Sequence, residues 1–163
     1  SFDYVLAPKT SQQELFETCV RGLVNSVFDG YNSTVFAYGQ TGSGKTHTIS
    51  GNKISSEDYG IIPRAVNLMF NMISNAQRLN NREFCVKVNF IEVYKEELRD
   101  LLDSAQKDLQ IREDEAGNTV IYGANEVICT TLDEVMACFD AGTMLRHTGS
   151  TLMNEQSSRS HSV

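Results

Sequence analysis

Eight residues constrain this chain more than any others: Gly39-Gln40-Thr41-Gly42-Ser43-Gly44-Lys45-Thr46 satisfies G-x-x-x-x-G-K-[ST] at every position. Glycines let the backbone curl until successive N–H groups point at phosphate oxygens, and the N-terminus of the following helix adds positive charge. Lys45 can then reach the β and γ phosphates, and the Thr46 hydroxyl can meet Mg²⁺. Such a loop must leave a strand and open a helix. "STVFAY", from Ser33 to Tyr38, is short, β-branched and aromatic and reads as a buried strand, while "KTHTI" can open the helix. Binding of a nucleoside triphosphate is the expectation.

Guanine is not supported as the base. The N-x-x-D type of signature that reads it, N-K-x-D, has its nearest likeness in Asn52-Lys53-Ile54-Ser55, where a serine stands in place of the aspartate and the stretch lies too close to the loop. P-loop enzymes also hold Mg²⁺ with an acidic residue at the end of an apolar strand. Glu92 in "VNFIEVY" sits within its strand instead, and reads better as a solvent-facing or paired strand glutamate.

Around the loop the chain alternates helix and strand patterns. Ser11 to Glu14 is an S-x-x-E capping box, after which Leu15, Phe16, Cys19, Val20, Leu23, Val24, Val27 and Phe28 form one apolar stripe on a helix ending near Gly30. Pro63 suits the first turn of a helix that continues through Ile73. "REFCVKVNFIEVY" alternates as a strand, "KEELRDLLD" reads as a short helical segment, and "LQIRE" and "NTVIYG" read as two strands joined by "DEAGN". Thr131 to Glu134 opens a last helix with a second capping box. The pattern predicts one piece of one α/β domain with a P-loop NTPase-type layered fold: a mostly parallel central sheet flanked by helices, plus an antiparallel meander near 109–129.

Charge and cysteine usage narrow the function classes. Fourteen Lys plus Arg against twenty-one Asp plus Glu leave a net charge of -7, which disfavours nucleic acid or an acidic membrane as a partner held by bulk electrostatics. Cys19, Cys85, Cys129 and Cys138 are widely spaced without a CxxC pair, so neither a zinc site nor a disulfide framework is indicated. Free thiols in a reducing compartment are expected. Apolar runs are too short for a membrane helix, and a soluble cytoplasmic protein is expected.

"VFAYGQTGSGKTHTI", "GIIPRAV", "FIEVYKEELRDLL" and "NEQSSRSHSV" together resemble, in order and spacing, the motor domain of the kinesins, ATP-driven microtubule motors. The resemblance covers essentially all of residues 1–163, with the phosphate loop at 39–46 and a switch I-like segment at 154–161. "IREDEAGNTVI" is most similar to the branch holding the chromokinesins and the cilium- and Hedgehog-linked kinesins.

The resemblance implies ATP and Mg²⁺ as cofactors. Gly39, Gln40, Thr41, Gly42, Ser43, Gly44, Lys45 and Thr46 would hold the phosphates and His47 would lie near the adenine; the alternative for His47 is an exposed helix histidine. Thr46 and Ser158 would approach the metal, Ser157 and Asn154 would help place the attacking water, and Arg159 would pair with a glutamate of the family's second switch. Read alone, the polar stretch Asn154–Val163 is a solvated tail; read with the resemblance, it is a γ-phosphate sensor cut off from its partner segment.

By the same resemblance the chain is a partial motor domain, truncated at both ends, with the first strand, the second switch and the main microtubule-binding helix outside it. Microtubules would be the partner, chiefly through that absent half, with Lys107 and Arg112 as peripheral contacts or ordinary solvated charges. A stalk outside the chain would make the parent dimeric, and its place would be the cytoplasm and the microtubule cytoskeleton, including the cilium. The enzyme reading is a microtubule-stimulated ATPase, with these 163 residues alone not competent for turnover. The alternative is a non-motile, kinesin-like scaffold.

Overall fold

The computed structural model describes residues 1–52, 55–80, 83–105, 108–151 and 160–163. The chain divides into two compact units, Ser1–Glu83 and Phe84–Val163.

In the first unit Ser11 caps α1 (Gln12–Leu15), its hydroxyl accepting the Glu14 N–H at 3.1 Å. A wider π turn, Phe16–Val20, follows, in which the Arg21 N–H reaches back to the Phe16 carbonyl, and the chain continues into α2 (Arg21–Phe28). In an α-helix of about 3.6 residues per turn, side chains four apart drift sideways. The widened turn keeps Phe16, Val20 and Val24 on one line, and all three are buried. Of the predicted stripe, Cys19, Leu23 and Val27 fall on the exposed side. Phe16, Val20 and Val24 pack with Ile61 at the start of α4 (Ile61–Asn80), which carries Pro63 in its first turn as predicted. Ile49, at the end of α3 (Lys45–Ile49), joins the same cluster, so the helix behind the phosphate loop is anchored to the unit's core.

The second unit holds seven strands among its described residues: β1 (Val86–Val88), β2 (Ile91–Tyr94), β3 (Glu97–Asp100), β4 (Gln110–Glu113), β5 (Thr119–Tyr122), β6 (Val127–Cys129) and β7 (Ser160–Ser162). They form three small sheets in the orders β1-β6, β3-β2-β7 and β4-β5. A last helix, α5 (Leu132–Thr151), begins where predicted: the Thr131 hydroxyl accepts the Glu134 N–H at 3.2 Å, and the Glu134 carboxylate accepts the Thr130 N–H at 2.6 Å. The Thr130 N–H, and next the Thr130 hydroxyl, hold the Glu134 carboxyl below its usual range.

The α/β class stands, but five finer expectations need correction among the described residues. Every ladder among the described residues is antiparallel, so the mostly parallel pairing is not made there. Ser33–Tyr38 makes no ladder; Phe36 is 82% and Tyr38 94% exposed. A parallel strand is buried between neighbours on both sides, and no described strand flanks this one.

"KEELRDLLD" is not helical: Lys95 and Glu96, at φ 49° and 69°, make the two-residue turn of a β2–β3 hairpin with Tyr94 opposite Glu97. Pairing with β2 overrides the helix propensity of Glu, Leu and Arg. The long alternating strand is likewise broken at Asn89-Phe90 into β1 and β2, which belong to different sheets. The meander reduces to the β4–β5 hairpin, because β6 pairs with β1 instead of β5.

Candidate nucleotide site

The loop from Gly39 to Thr46 owes its shape to glycine. Gly42 and Gly44 take φ of 81° and 93°, left-handed values that other residues adopt only at a cost of about 1–2 kcal/mol. A Cβ on either would meet nothing within 4 Å. Glycine is therefore required by the backbone turn, and the space beside both α-carbons is open. That open, glycine-shaped concavity fits phosphate oxygens approaching the main chain closely. Gly44 caps α3, its carbonyl accepting the Thr48 N–H at 2.9 Å, and the Gln40 carbonyl accepts the Ser43 N–H at 3.2 Å.

Lys45 is half-buried and curls over the loop. Its Nζ donates to the carbonyls of Gly39 at 2.7 Å and Gln40 at 2.8 Å. These bonds place the ammonium at the mouth of the loop, where phosphate oxygens would compete with two neutral carbonyls for a cation. Charge-assisted bonds are roughly twice as strong as neutral ones, so a triphosphate would capture it. Thr46 and His47 are exposed on α3.

Among the described residues no group of three or more His, Cys, Asp or Glu comes together as a metal cage. Mg²⁺ commonly binds by sharing ligands with substrate phosphates and keeping several waters. Thr46, the first residue after Lys45 and exposed on α3, could supply one oxygen in that manner. Bound there, the ion would neutralise charge on the β and γ phosphates.

Beside the loop lies a cleft of about 330 Å³ lined by Thr10, Ser11, Gln12, Leu15, His47, Thr48, Glu57 and Asp58. Among the described residues, His47 is thus the one predicted site residue on its wall. Gln12 Nε2 donates to the His47 carbonyl at 2.7 Å, tying the start of α1 to α3. Arg64, on α4, braces the cleft's outer wall by donating to the carbonyls of Tyr59 at 2.8 Å, Glu57 at 2.9 Å and Ser56 at 3.1 Å, and to the Gln13 side chain. Sequence reading singled out neither Gln12 nor Arg64 for this role, because both act through partners that no motif links.

Asn154, Ser157, Ser158 and Arg159 lie outside the described residues, as do Lys53 and Lys107. Arg112 stands on the exposed β4–β5 hairpin, its guanidinium 4.7 Å from the Tyr122 ring and bonded to Gln110. The strand leaving the switch I-like segment is described. On β7, Ser160 is buried and its hydroxyl and carbonyl each accept from the Arg146 guanidinium at 3.1 Å, while Ser162 Oγ accepts from Arg146 Nη1 at 3.0 Å. Glu92 is not solvent-facing: it is buried on β2, with Arg146 Nε 3.4 Å from its carboxylate. The paired-glutamate reading holds, and Arg146, 54 positions along the chain on α5, is the partner.

Residues 1–163 match the kinesin motor domain family throughout. The chain is 52% identical to human kinesin-like protein KIF27 over 168 residues, spanning all of this chain and 12% of that protein. It is 46% identical to human kinesin-like protein KIF7, over 99% of this chain and 12% of that protein. It is 44% identical to human kinesin-1 heavy chain, over all of this chain and 17% of that protein. The solved structure of a fast kinesin, described for its ATPase mechanism and interactions with microtubules, superposes with a TM-score of 0.92 at 36% identity, covering 99% of this chain and 46% of the other. The α/β fold predicted from the phosphate loop and its flanks is thereby shown, and the chain belongs to the kinesin motor domain family.

Proposed function

We propose that this chain is the ATP-binding part of a microtubule motor, in which ATP hydrolysis is coupled to movement along microtubules. The observation that carries the reading is the loop itself: glycines at positive φ, open space beside them, and the Lys45 ammonium at its mouth, in a chain of the kinesin motor domain family. ATP with Mg²⁺ is the nucleotide, with Gly39–Thr46 on the phosphates, Thr46 and Ser158 toward the metal and His47 toward the base. Asn154 and Ser157 orient the attacking water and Arg159 pairs with the second switch. Phosphoryl transfer depends mostly on positioning and electrostatic stabilisation, the services such residues supply.

Microtubules are the partner, the parent protein is a dimer, and it works on cytoplasmic and ciliary microtubules; the similarity to KIF27 and KIF7 supports the cilium-linked branch. Since the chain spans 46% of the fast kinesin's chain, turnover by these residues alone is not expected. Phosphate release with and without microtubules, measured on this chain and on the same sequence carried through a full motor-domain length, tests the reading. Stimulated release is expected only from the longer protein. Stimulation of the short chain contradicts its incompetence, and none from either favours a non-motile scaffold.

A further inference from the structure

The second unit brings together two thiols that the sequence keeps apart. Cys129 ends β6, opposite Val86 of β1, and is only 2% exposed. Cys138 stands on α5 and is partly open to solvent. Their sulfurs are 4.0 Å apart. The connection between them is held at both ends: Glu134 accepts from the Thr130 N–H and hydroxyl, and Thr131 accepts from the Glu134 N–H. A disulfide needs its sulfurs about 2 Å closer than this.

We propose that Cys129 and Cys138 are a redox modification site that closes to a disulfide, with a small disulfide of the glutathione class as co-reactant. Cys138, which solvent reaches, attacks as the thiolate on one sulfur of oxidised glutathione. The glutathione S–S bond breaks, a mixed disulfide forms on Cys138, and one glutathione leaves as a thiolate that takes up a proton. Cys129, losing its proton to solvent, then attacks the Cys138 sulfur and expels the second glutathione, which is protonated in turn. Two protein thiols are oxidised by two electrons and one glutathione disulfide is reduced to two thiols.

Burial, with the Cys138 thiol as the next cause, pushes the Cys129 thiol up to about 11. In water it is therefore a poor initiator. Its place is the second step, where contact with the Cys138 sulfur replaces diffusion. The product staples the first turns of α5 to the β1–β6 ladder. Cys19 and Cys85, both exposed, take up glutathione singly.

The test incubates the chain with graded ratios of oxidised to reduced glutathione, blocks remaining thiols, cleaves at Glu134 to separate the two cysteines, and maps the peptides by mass spectrometry. The expected result is a Cys129–Cys138 cross-link lacking two hydrogens and released by dithiothreitol. In Cys129→Ser the reaction should stop with glutathione on Cys138, and in Cys138→Ser the Cys129 thiol should stay reduced. A native chain in which Cys138 holds glutathione while Cys129 stays free, or in which neither reacts, overturns the proposal. So does a Cys129 that oxidises equally well in the Cys138→Ser chain, or that cross-links to Cys19 or Cys85.

Discussion

Two cations among the described residues, Lys45 and Arg146, are held in opposite ways. Lys45 is satisfied by carbonyls five and six positions away, within a loop whose glycines already dictate its course. Arg146 reaches 14 and 16 positions forward to Ser160 and Ser162 and 54 positions back to Glu92, gathering α5, β7 and β2 around one guanidinium. The phosphate loop is a local device that backbone conformation writes. The β7 anchor is a non-local device that exists only once a sheet and a helix have packed. Substitutions in the first unit should therefore act through backbone strain, and those in the second through unpaired charge.

The largest effect is expected where strain cannot be relieved. Gly51 takes φ +73°, and a Cβ there would lie 2.1 Å from the Gly60 nitrogen and 2.2 Å from the Asp58 carbonyl oxygen, both backbone atoms. Gly51→Ala should cost about 4 kcal/mol in a urea titration, in the tail reserved for special backbone sites. A loss within experimental error would remove backbone strain as the rule for this unit.

Next comes Arg146→Met, which strands the buried Glu92 carboxylate. Breaking such a pair costs about 3 kcal/mol, and Glu92→Gln added to the same chain should return part of that loss. Additive losses in the double variant, with no coupling, would mean that the pair does not organise β7.

The smallest effect belongs to Asp114, in the exposed turn of the β4–β5 hairpin. Bonds from the Asn118 side chain, then from the Asn118 backbone N–H, hold its carboxyl below the usual value of 3.8. A carboxyl lowered in the folded chain contributes stability that is full above its ordinary pKa and lost as pH falls through the lowered one. The amide NMR shifts of Ala116 and Asn118, whose N–H groups the carboxylate accepts, should therefore move in that acid window, and Asp114→Asn should flatten the change. A transition near neutral pH would contradict the assignment.

What the sequence revealed follows the same division. The phosphate loop, both capping boxes and the "DEAGN" hairpin were legible because each is specified by one short continuous stretch of chain: glycines at positive φ, a hydroxyl three residues before a glutamate, a turn between two strand runs. The β2–β3 hairpin was missed because "KEELRDLLD" carries good helix formers, and only the presence of β2 as a ladder partner makes Lys95 and Glu96 turn. Glu92 was legible only as solvent-facing or paired, and neither the choice nor the partner could be read, since nothing in "TMLRH" announces that Arg146 faces a sheet. The nine-residue spacing of Cys129 and Cys138 likewise gave no hint that a capped turn folds one back upon the other.

The central claim is that Gly39–Thr46 holds a nucleoside triphosphate through Lys45. It is tested most directly by titrating Mg-ATP into a motor-domain-length protein carrying this sequence and into its Lys45→Ala variant, with thermal unfolding as a check that both are folded. Saturable binding by the native sequence and an affinity at least roughly 100-fold weaker in the variant are predicted. Equal affinity in two equally stable proteins would contradict the account.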